Sequence, residues 1–574
     1  MSNNGYALTA ADGLLLTLSE LGVDYIFANL GSDHPPLIES LAKLKSKGKR
    51  VPEIIICPHE MAALSAAHGR AQVTGKLQVV LVHVDVGTQN LGGALHNAMR
   101  GRVPILIIAG ASPVTVDGEM AASRNEFIHY LQDISDQRSI VREYTKWSYD
   151  VHSGKNIDLI VKRAAQIACS SPSGPVYMMI PRDIMTDEWV PLPEVKRAIF
   201  PASLGALDQN VAKQIAHHLV EAKMPLIITS YLGRNVDAVS NLVQLSEKIA
   251  VPVMEAGPYY ANFPTNHPMH IGYEDFIERN YVVEEADFIL VLDCDIPWMP
   301  QVTKVEPKTN VFWIDIDPIK TTIPVWYYSG VKFVQAESRL VLSQLLDEID
   351  NVELDHDRIE SRRASIRARS SSVRDQWTQD GTSESSKITA AYLTSLISEF
   401  IDENTIIVNE TISNYRTVWR HLNPRTPGQF YGSGASSLGW HGGAAVGIKL
   451  ENPDKTVVAL TGDGSFIFSE PVAVQIMSRL YNAPFLTVIY NNGGWKSPKL
   501  STLAVYPHGC ANASGAFHVE FTGDFALERV ASLVDGVYIA KVDHRDELHM
   551  RLSQAFEAVR DGRSAVLNVM IEEM

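Results

Sequence analysis

The sequence predicts an α/β protein made of three doubly wound layers of parallel strands. The chain has 574 residues, more than a single hydrophobic core can organise, so several domains are expected. Short apolar runs alternate along it with stretches of helical periodicity, which is typical of parallel strands joined by helices. One polar, serine-rich stretch interrupts this pattern, between residues 351 and 387, and separates the last layer from the first two.

The first layer covers residues 1–195. Its predicted strands are, in order, FANLG, EIIIC, LQVVLVHVDV, VPILIIAG and GPVYMMIP. The segments between these runs are long enough for the crossover connections that parallel strands need. We therefore expect an open α/β domain at the N-terminus.

Two further layers follow, a central one over residues 200–350 and a C-terminal one over residues 388–574. The predicted central strands are PLIITS, VPVMEA, FILVLDC and NVFWIDID, and the predicted C-terminal strands are TIIVNE, TVVALTGDG, FLTVIYNN and SAVLNVMI. Residues 351–387 are charged and rich in serine, which indicates a surface linker that is helical in part.

Composition narrows the classes of function. Fifty basic residues stand against 66 acidic ones, for a formal net charge of -16. This charge disfavours nucleic acid and anionic membranes as partners. No apolar run approaches the ~20 residues that cross a bilayer, the N-terminus lacks the pattern of a signal peptide, and the four cysteines show no paired spacing. We expect a cytoplasmic protein that binds neither nucleic acid nor membrane.

The most specific pattern is a pair of turns that follow successive strands of the third layer. GDGS at 462–465 closes one strand, NNGG at 491–494 closes the next, and SFIFSEPVAVQIMSRLYNAP between them predicts a helix. Parallel sheets bind ligands at this edge. Oxygen ligands there suit Mg²⁺, and the glycines let backbone amides approach phosphate oxygens. The alternative is that both are ordinary turns.

This spacing resembles the diphosphate-binding signature of thiamine-diphosphate-dependent enzymes. The resemblance assigns three magnesium ligands, the side chains of Asp463 and Asn492 and the carbonyl oxygen of Gly494. It also implies that Gly462, Gly464 and Ser465 lie at the cofactor diphosphate, and that Leu438 wedges between the two cofactor rings while the carbonyl of Ser436 accepts from the exocyclic amine.

A second part of the family pattern lies in the first layer. In EIIICPHEMAALSAAHGR, Glu60 follows a strand and begins an alanine-rich helix. A carboxylate there could merely favour the helix dipole. The segment also resembles the activating-glutamate segment of the family, in which the glutamate bonds the pyrimidine ring and helps to form the ylide nucleophile.

Other segments resemble benzoylformate decarboxylase, benzaldehyde lyase and acetolactate synthase more closely than pyruvate decarboxylase. The resemblance implies substrate contacts for Ser32 and His83, as in benzoylformate decarboxylase, and for Gln132, as in benzaldehyde lyase. Asp33 and His34 are further polar candidates in the Ser32 loop. A lone histidine is more often structural than catalytic.

The sequence also departs from these relatives. In LDCDIPWMPQ, Trp298 and Met299 stand where benzoylformate decarboxylase has a second histidine, and the arginine that helps acetolactate synthase to hold flavin is missing. We therefore expect no FAD. The segment GGWKSPKLSTLAVYPHG, which closes over the substrate in the family, differs from all of these relatives.

The favoured hypothesis is a thiamine-diphosphate- and magnesium-dependent decarboxylase and carboligase similar to acetolactate synthase. Its ylide would attack a small 2-oxo acid and pass an enamine to a second carbonyl compound. A simple decarboxylase, an acyloin or 2-hydroxyacyl lyase, and a non-catalytic cofactor-binding protein are the alternatives. Because Glu60 and the metal motif lie in different layers, the resemblance implies a homodimer or homotetramer with active sites at the subunit interface.

Overall fold

The computed structural model describes residues 7–191, 200–382, 385–424, 426–521, 523 and 525–572. Within these ranges the chain forms three six-stranded sheets, flanked by helices, in which every strand pair is parallel. The predicted fold class is confirmed. The predicted boundary at residue 195 lies outside the described residues.

The N-terminal sheet has the strand order β2-β1-β3-β4-β6-β5. Its central strands are buried on both faces, as expected for a sheet covered by helices. The strands are β1 (Tyr25–Ala28), β2 (Glu53–Ile56), β3 (Gln78–Val82), β4 (Ile105–Ala111), β5 (Ser148–Asp150) and β6 (Val176–Pro181); the helices are α1 (Ala10–Glu20), α2 (Pro35–Ser46), α3 (Glu60–Thr74), α4 (Val84–Asn90), α5 (Gly92–Arg100), α6 (Ile128–Leu131) and α7 (Ile157–Cys169).

The central sheet has the order β12-β11-β10-β7-β8-β9. Its own hydrophobic core lies between the sheet and the helices that cover it. The strands are β7 (Pro225–Thr229), β8 (Val253–Ala256), β9 (His270–Glu274), β10 (Phe288–Leu292), β11 (Asn310–Asp315) and β12 (Val331–Gln335); the helices are α8 (Gln209–Glu221), α9 (Val236–Ile249), α10 (Tyr281–Glu285) and α11 (Ser338–Ile349).

Most of the stretch predicted as a linker forms one helix of 27 residues, α12 (His356–Thr382). It is fixed to the central domain both by Ile359 and Ile366, which are buried in the core of that domain, and by polar side chains. The buried guanidinium of Arg362 donates to the carbonyl of Ala222, at 2.8 Å, and to that of Ile249. Ala222 directly follows α8, and Ile249 is the last residue of α9. Ser370 donates to the carbonyl of His270 at 2.6 Å. A charged sequence can therefore dock because it supplies partners to helix ends that lack them.

The C-terminal sheet has the order β14-β13-β15-β16-β18-β17. The strands are β13 (Thr405–Glu410), β14 (Phe430–Gly432), β15 (Thr456–Gly462), β16 (Leu486–Asn491), β17 (Tyr538–Val542) and β18 (Ala565–Met570); the helices are α13 (Ala390–Glu399), α14 (Tyr415–His421), α15 (Trp440–Glu451), α16 (Asp463–Phe468), α17 (Pro471–Leu480), α18 (Lys496–Val505), α19 (Cys510–Ser514) and α20 (Arg545–Arg560).

The single helix predicted between the two motif turns is in fact two helices, α16 and α17. Glu470 separates them in a left-handed conformation with a φ of 53°. Pro471 follows as the first residue of α17. The prediction was wrong because proline disfavours a helical conformation in the residue before it.

Helices α3 and α15 cross in close contact and join the N-terminal and C-terminal domains. A Cβ at Gly447 would lie 1.9 Å from the carbonyl oxygen of Ala66, and one at Gly69 would lie 2.4 Å from that of Ala444. Small residues on both helices therefore let the two backbones touch. In the part of the chain with described coordinates, every helix is too short or too polar to traverse a lipid bilayer.

Candidate active site

Strands β15 and β16 place the two predicted metal-binding turns side by side. The strands pair in parallel, so Asp463 and Asn492 follow them at the same edge of the sheet, and both side chains are buried. The carboxylate of Asp463 accepts from the backbone N–H of Gly464 at 3.0 Å and of Gly494 at 2.6 Å. The carboxylate of one turn thus contacts the backbone of the other.

The donor atoms in these turns fit a hard cation. The side-chain amide of Asn492 donates to Ser413 Oγ at 3.3 Å, whereas its Oδ1 is buried without a hydrogen-bond partner among the described residues. A buried oxygen without a hydrogen-bond partner destabilises a folded protein by about 1–3 kcal/mol. A bound cation would offset this loss. Burial raises the pKa of Asp463, and the hydrogen bonds from the backbone amides of Gly464 and Gly494 reduce this rise without cancelling it. One carboxylate and one amide oxygen, beside a glycine backbone, are ligands that Mg²⁺ accepts.

A cavity of about 420 Å³ opens beside these turns. Gly462 directly precedes Asp463, and a Cβ at Gly462 would meet nothing within 4 Å. A Cβ at Gly494, whose φ is 140°, would lie 2.1 Å from the carbonyl oxygen of Val519. Ser465 is buried in the first turn of α16. The cavity is lined by Asp463, Ile467, Asn491, Gly493, Phe521, Gly523, Phe525, Leu527 and Met570.

The loop that contains Ser436 and Leu438 contacts the N-terminal domain. Asn97 on α5 donates to the carbonyl of Ser437 at 2.8 Å and accepts from its N–H at 3.1 Å. The next residue but one, Gly439, has a φ of 95°. Ser436 is exposed and Leu438 is half-buried, so both remain accessible in this chain.

Glu60 is the first residue of α3 and is buried. Its Oε2 accepts from the side-chain amide of Asn90, the last residue of α4, at 3.2 Å. A Cβ at Gly87 would lie 3.0 Å from Glu60 Oε1 and 3.5 Å from the Cβ of His83. Glu60 and His83 therefore flank the same glycine.

The three predicted substrate contacts form one chain of hydrogen bonds. His83 Nε2 lies 3.0 Å from Gln132 Oε1, and Gln132 Nε2 donates to Ser32 Oγ at 3.4 Å. On its other side, His83 Nδ1 lies 2.5 Å from the carboxylate of Asp33. Asp33, which the sequence indicated only as a further polar candidate, is thus in direct contact with the predicted histidine.

The electrostatics of this chain favour a charged pair. Burial alone would raise the pKa of Asp33, but the charges and hydrogen bonds of His34 and His83 outweigh burial and hold that pKa well below its usual range. Burial would likewise lower the pKa of His83, but the hydrogen bond and charge of Asp33, with a smaller contribution from Gln132, raise it.

Arg182 fixes the two loops that carry Ser32 and Gln132, and sequence analysis did not detect it. This buried residue follows β6. Its five N–H groups reach the carbonyls of Ala122, Ser32 and Ser123, the side chain of Asn125 and the ring of His129, at 2.6–3.3 Å. Its partners are mostly backbone atoms far away in sequence, so no local pattern marks it.

A second cavity, of about 290 Å³, lies between the central and C-terminal domains. Aromatic and other apolar side chains dominate its wall, including Met299, which sequence analysis noted as replacing a histidine. The cavity ends at Ala435, next to Ser436. Its larger side chains are Tyr259, Phe276, Ile296, Met299, Tyr415 and Trp419.

The predicted site residues therefore fall into two groups. Glu60, Ser32, His83 and Gln132 lie together in the N-terminal domain, and the metal and diphosphate residues lie together at the edge of the C-terminal sheet. The loop at 436–438 is in contact with both domains through Asn97 and Gly439.

Three models of thiamine pyrophosphate enzyme domains match the chain. The N-terminal thiamine-pyrophosphate-binding domain matches residues 8–140, the central domain residues 212–327 and the C-terminal thiamine-pyrophosphate-binding domain residues 411–569. These ranges fall in the three sheets described above.

Whole proteins of known activity are similar over nearly the full chain. Acetolactate synthase isozyme 3 large subunit of Escherichia coli is 24% identical over 98% of this chain and 95% of its own length. Acetolactate synthase of Bacillus subtilis is 24% identical over 85% and 82%. The structure of 4-hydroxybenzoylformate decarboxylase from Rhodococcus jostii has a TM-score of 0.78 at 20% identity, with 99% of this chain and 100% of that chain covered.

The fold and the arrangement of the site define a thiamine-diphosphate-dependent enzyme. The chain belongs to the thiamine pyrophosphate enzyme family, with the N-terminal, central and C-terminal domains all present. It is an enzyme of the carboligase or decarboxylase class.

Proposed function

We propose that this enzyme is a thiamine-diphosphate- and magnesium-dependent 2-oxo acid decarboxylase and carboligase of the acetolactate synthase type. The observation that carries the proposal is the position of Glu60, buried against Asn90 and next to the hydrogen-bond chain of His83 and Gln132. A protein that only stored the cofactor would not need these groups. Similarity to acetolactate synthases supports this type of activity over the other activities of the family.

Residues of the C-terminal domain would hold the cofactor. Asp463, Asn492 and the carbonyl of Gly494 would bind Mg²⁺, and the backbone of Gly462, Gly464 and Ser465 would approach the diphosphate. The buried Oδ1 of Asn492, for which the described part of the chain offers no hydrogen-bond partner, supports this role. The carbonyl of Ser436 would accept a hydrogen bond from the exocyclic amine, and Leu438 would support the two rings.

When bound, thiamine diphosphate supplies a nucleophilic carbon. Glu60 would donate and recover a proton at the pyrimidine nitrogen, a role that a carboxylate bonded to the neutral amide of Asn90 can fill. Ser32, His83 and Gln132 would orient the oxygen atoms of a small 2-oxo acid. The arginine that helps acetolactate synthase to hold flavin is missing near LDCDIPWMPQ, so we expect no FAD.

We further propose a cytoplasmic homodimer or homotetramer with active sites at the subunit interface. Large apolar side chains are exposed next to both halves of the site, which indicates a covered surface. They are Phe127, Tyr130 and Leu131 near Gln132, and Ile467, Phe468, Trp495 and Phe525 near Asp463. Sedimentation analysis with and without the cofactor would measure the oligomeric state; a monomer with full activity would contradict the interface site.

One observation favours a second candidate, a simple decarboxylase of aromatic 2-oxo acids. The aromatic cavity next to Ser436 offers an apolar surface to a large substrate group. Structures of this fold include a benzoylformate decarboxylase from Polynucleobacter necessarius, with a TM-score of 0.77 at 21% identity.

The deciding experiment measures carbon dioxide release from pyruvate, longer 2-oxo acids and benzoylformate. Protein reconstituted with thiamine diphosphate and Mg²⁺ is used, and products are identified by mass. Acetolactate from pyruvate would support the carboligase. An aldehyde as sole product would support the simple decarboxylase. Bound cofactor without release from any acid would contradict both, and would favour an acyloin or 2-hydroxyacyl lyase or a non-catalytic binder.

A further inference from the structure

We propose that Asp33 is a positioning residue that keeps His83 protonated and so sets the direction of the hydrogen bonds from His83 through Gln132 to Ser32. The inference rests on the proposed function, in which these residues face a 2-oxo acid. It assigns a role to a carboxylate that would not itself touch the substrate.

The geometry ties Asp33 to His83 by two independent contacts. Its Oδ1 lies 2.5 Å from His83 Nδ1, and its Oδ2 accepts from the backbone N–H of Val84 at 3.2 Å. Asp33 is fully buried. Gly110 makes room for it, because a Cβ at that position would lie 1.5 Å from Asp33 Oδ2. The carboxylate is therefore held against the ring of His83 and the backbone N–H of Val84.

The backbone at this point is strained. Val84 has a φ of 23°, a conformation that β-branched residues avoid. The N–H of Val84 bonds to Asp33, and the carbonyl of His83 accepts from Gly87 at 2.7 Å. Strain of this kind persists where the surrounding contacts impose it. Here the contacts of Asp33 and Gly87 with the peptide between His83 and Val84 impose it.

The direction of the hydrogen bonds follows from the chemistry of each group. A carboxylate can only accept, so His83 Nδ1 must donate to Asp33. If His83 is a cation, Nε2 also donates, and the oxygen of Gln132 must face it, as it does. The Gln132 amide then donates to Ser32 Oγ. The hydroxyl hydrogen of Ser32 is left to donate to a substrate oxygen.

A neutral His83 would reverse this order. Its Nδ1 would still donate to Asp33, but Nε2 would become an acceptor, and the Gln132 amide would turn its nitrogen toward it. The Gln132 oxygen would then accept the hydroxyl hydrogen of Ser32. The substrate would lose its donor, so the charge on His83 decides whether Ser32 can hold a carbonyl or carboxylate oxygen.

Several charged groups surround this pair. Asp33 and Asp85 favour the cation on His83, and both contribute to its raised pKa. His34 also faces Asp33, because its Nδ1 lies 3.0 Å from the Oδ1 that His83 contacts, and its ring lies 6.5 Å from that of His83. Arg182 bonds the carbonyl of Ser32 on the far side of Asp33. Asp33 is in hydrogen-bond contact with His83, which makes it the dominant partner.

The first test reads the ionisation of His83 without relying on activity. Diethyl pyrocarbonate modifies neutral imidazole, and peptide mass mapping gives the rate at each histidine, with exposed His152 as internal reference. In the holoenzyme, Asp33→Asn should raise the rate at His83 near pH 6.5 by about 5-fold, the rise in neutral imidazole when a pKa falls by one unit to the ordinary histidine value. Asp85→Asn, which removes a nearby charge without breaking a bond to His83, should change it much less.

The second test follows the pH dependence of kcat/KM. Because Asp33 raises the pKa of His83, the alkaline limb should move to lower pH in Asp33→Asn and return toward the wild-type position in Asp33→Glu. Adding Asp33→Asn to His83→Gln should have little further effect, since one acts through the other. Thiamine diphosphate affinity should not change.

Equal modification rates of His83 in the wild type and in Asp33→Asn would overturn the proposal. So would a wild-type titration of His83 at or below the ordinary value for histidine, a measurement that needs no variant. If no 2-oxo acid is decarboxylated while Asp33→Asn still changes the modification rate, the proposed function fails but the coupling of Asp33 to His83 stands.

Discussion

Glu60 is a buried carboxylate in contact with a neutral amide. Its Oε2 accepts a hydrogen bond from the side-chain amide of Asn90, a partner that carries no charge. Met61, the next residue, contacts Gly439 beside the loop of Leu438. The helix that begins with Glu60 therefore lies against the loop of Leu438.

We expect Glu60→Gln to lower turnover by about 10²–10⁴-fold, the usual loss when a general acid or base is removed. The amide has the same shape but cannot carry the proton, so affinity for thiamine diphosphate should change little. Steady-state kinetics and calorimetric titration of the cofactor measure the two effects. Glu53→Gln, an exposed change in the same domain, serves as control; normal turnover in Glu60→Gln would contradict the mechanism.

We expect Asp463→Ala to weaken magnesium-dependent cofactor binding by more than about 100-fold, since even outer-shell partners of metals are worth about 10–100-fold. Quenching of Trp495, whose ring lies beside Gly464, reports binding directly. The exposed Asp454→Ala leaves the turn intact and should bind normally. Unchanged binding in Asp463→Ala would remove this residue from the metal site.

At the scale of elements, sequence patterns identified the inner strands and missed most of the edges. The five strands not predicted, β5, β9, β12, β14 and β17, all lie at sheet edges. Their sequences are SYD, HIGYE, VKFVQ, FYG and YIAKV. An inner strand is covered on both faces and reads as a continuous apolar run, whereas an edge strand pairs on one side and tolerates polar or short sequences.

The crossing of α3 and α15 depends on glycine at the points of contact. We expect Gly447→Ala to destabilise the protein by about 1–3 kcal/mol, because the added methyl would lie 1.9 Å from the Ala66 carbonyl. The steric clash outweighs the ~1 kcal/mol by which alanine is more favourable than glycine inside a helix. Thermal unfolding measures the change. Gly205→Ala, where a Cβ meets nothing within 4 Å, is the control, and equal melting of both variants would contradict the tight crossing.

At the scale of the whole molecule, a cluster of charges joins the N-terminal and central domains. Arg102 donates to both carboxylate oxygens of Asp295, at 3.2 and 2.7 Å. The amine of Lys320 lies 2.8 Å from Asp295 and 2.6 Å from Asp315. Burial would raise the pKa of Asp295, but Arg102 and Lys320 outweigh burial and hold it well below its usual range.

We expect Asp295→Asn to cost about 3 kcal/mol, the lower end for breaking a buried pair, because asparagine keeps one acceptor. Without the ion pair of Arg102 and Asp295, the N-terminal and central domains should unfold in separate steps. Scanning calorimetry would then resolve an extra transition, and limited proteolysis would cut between them sooner. Asp561→Asn, an exposed change, should behave as wild type. A single unshifted transition in Asp295→Asn would show that apolar packing alone holds these domains together.

The parts of the site that local patterns predicted are those formed by strand ends. The turns after β15 and β16 come together because consecutive parallel strands end at one edge. Asp33 and Arg182 act through contacts with loops far away in sequence, so only the folded chain gives them a role. The metal, diphosphate and substrate roles stay predictions until the variants above are measured.

The crossing of α3 and α15 also has a consequence for synthesis on the ribosome. The face of α3 around Ala66 and Gly69 packs against α15, and α15 is translated after the whole central domain. At ~5–20 residues per second, this interval lasts on the order of tens of seconds. We expect this surface of α3 to stay exposed on the nascent N-terminal domain, where chaperones can bind it. It becomes covered when the last third of the chain emerges and α15 packs against α3.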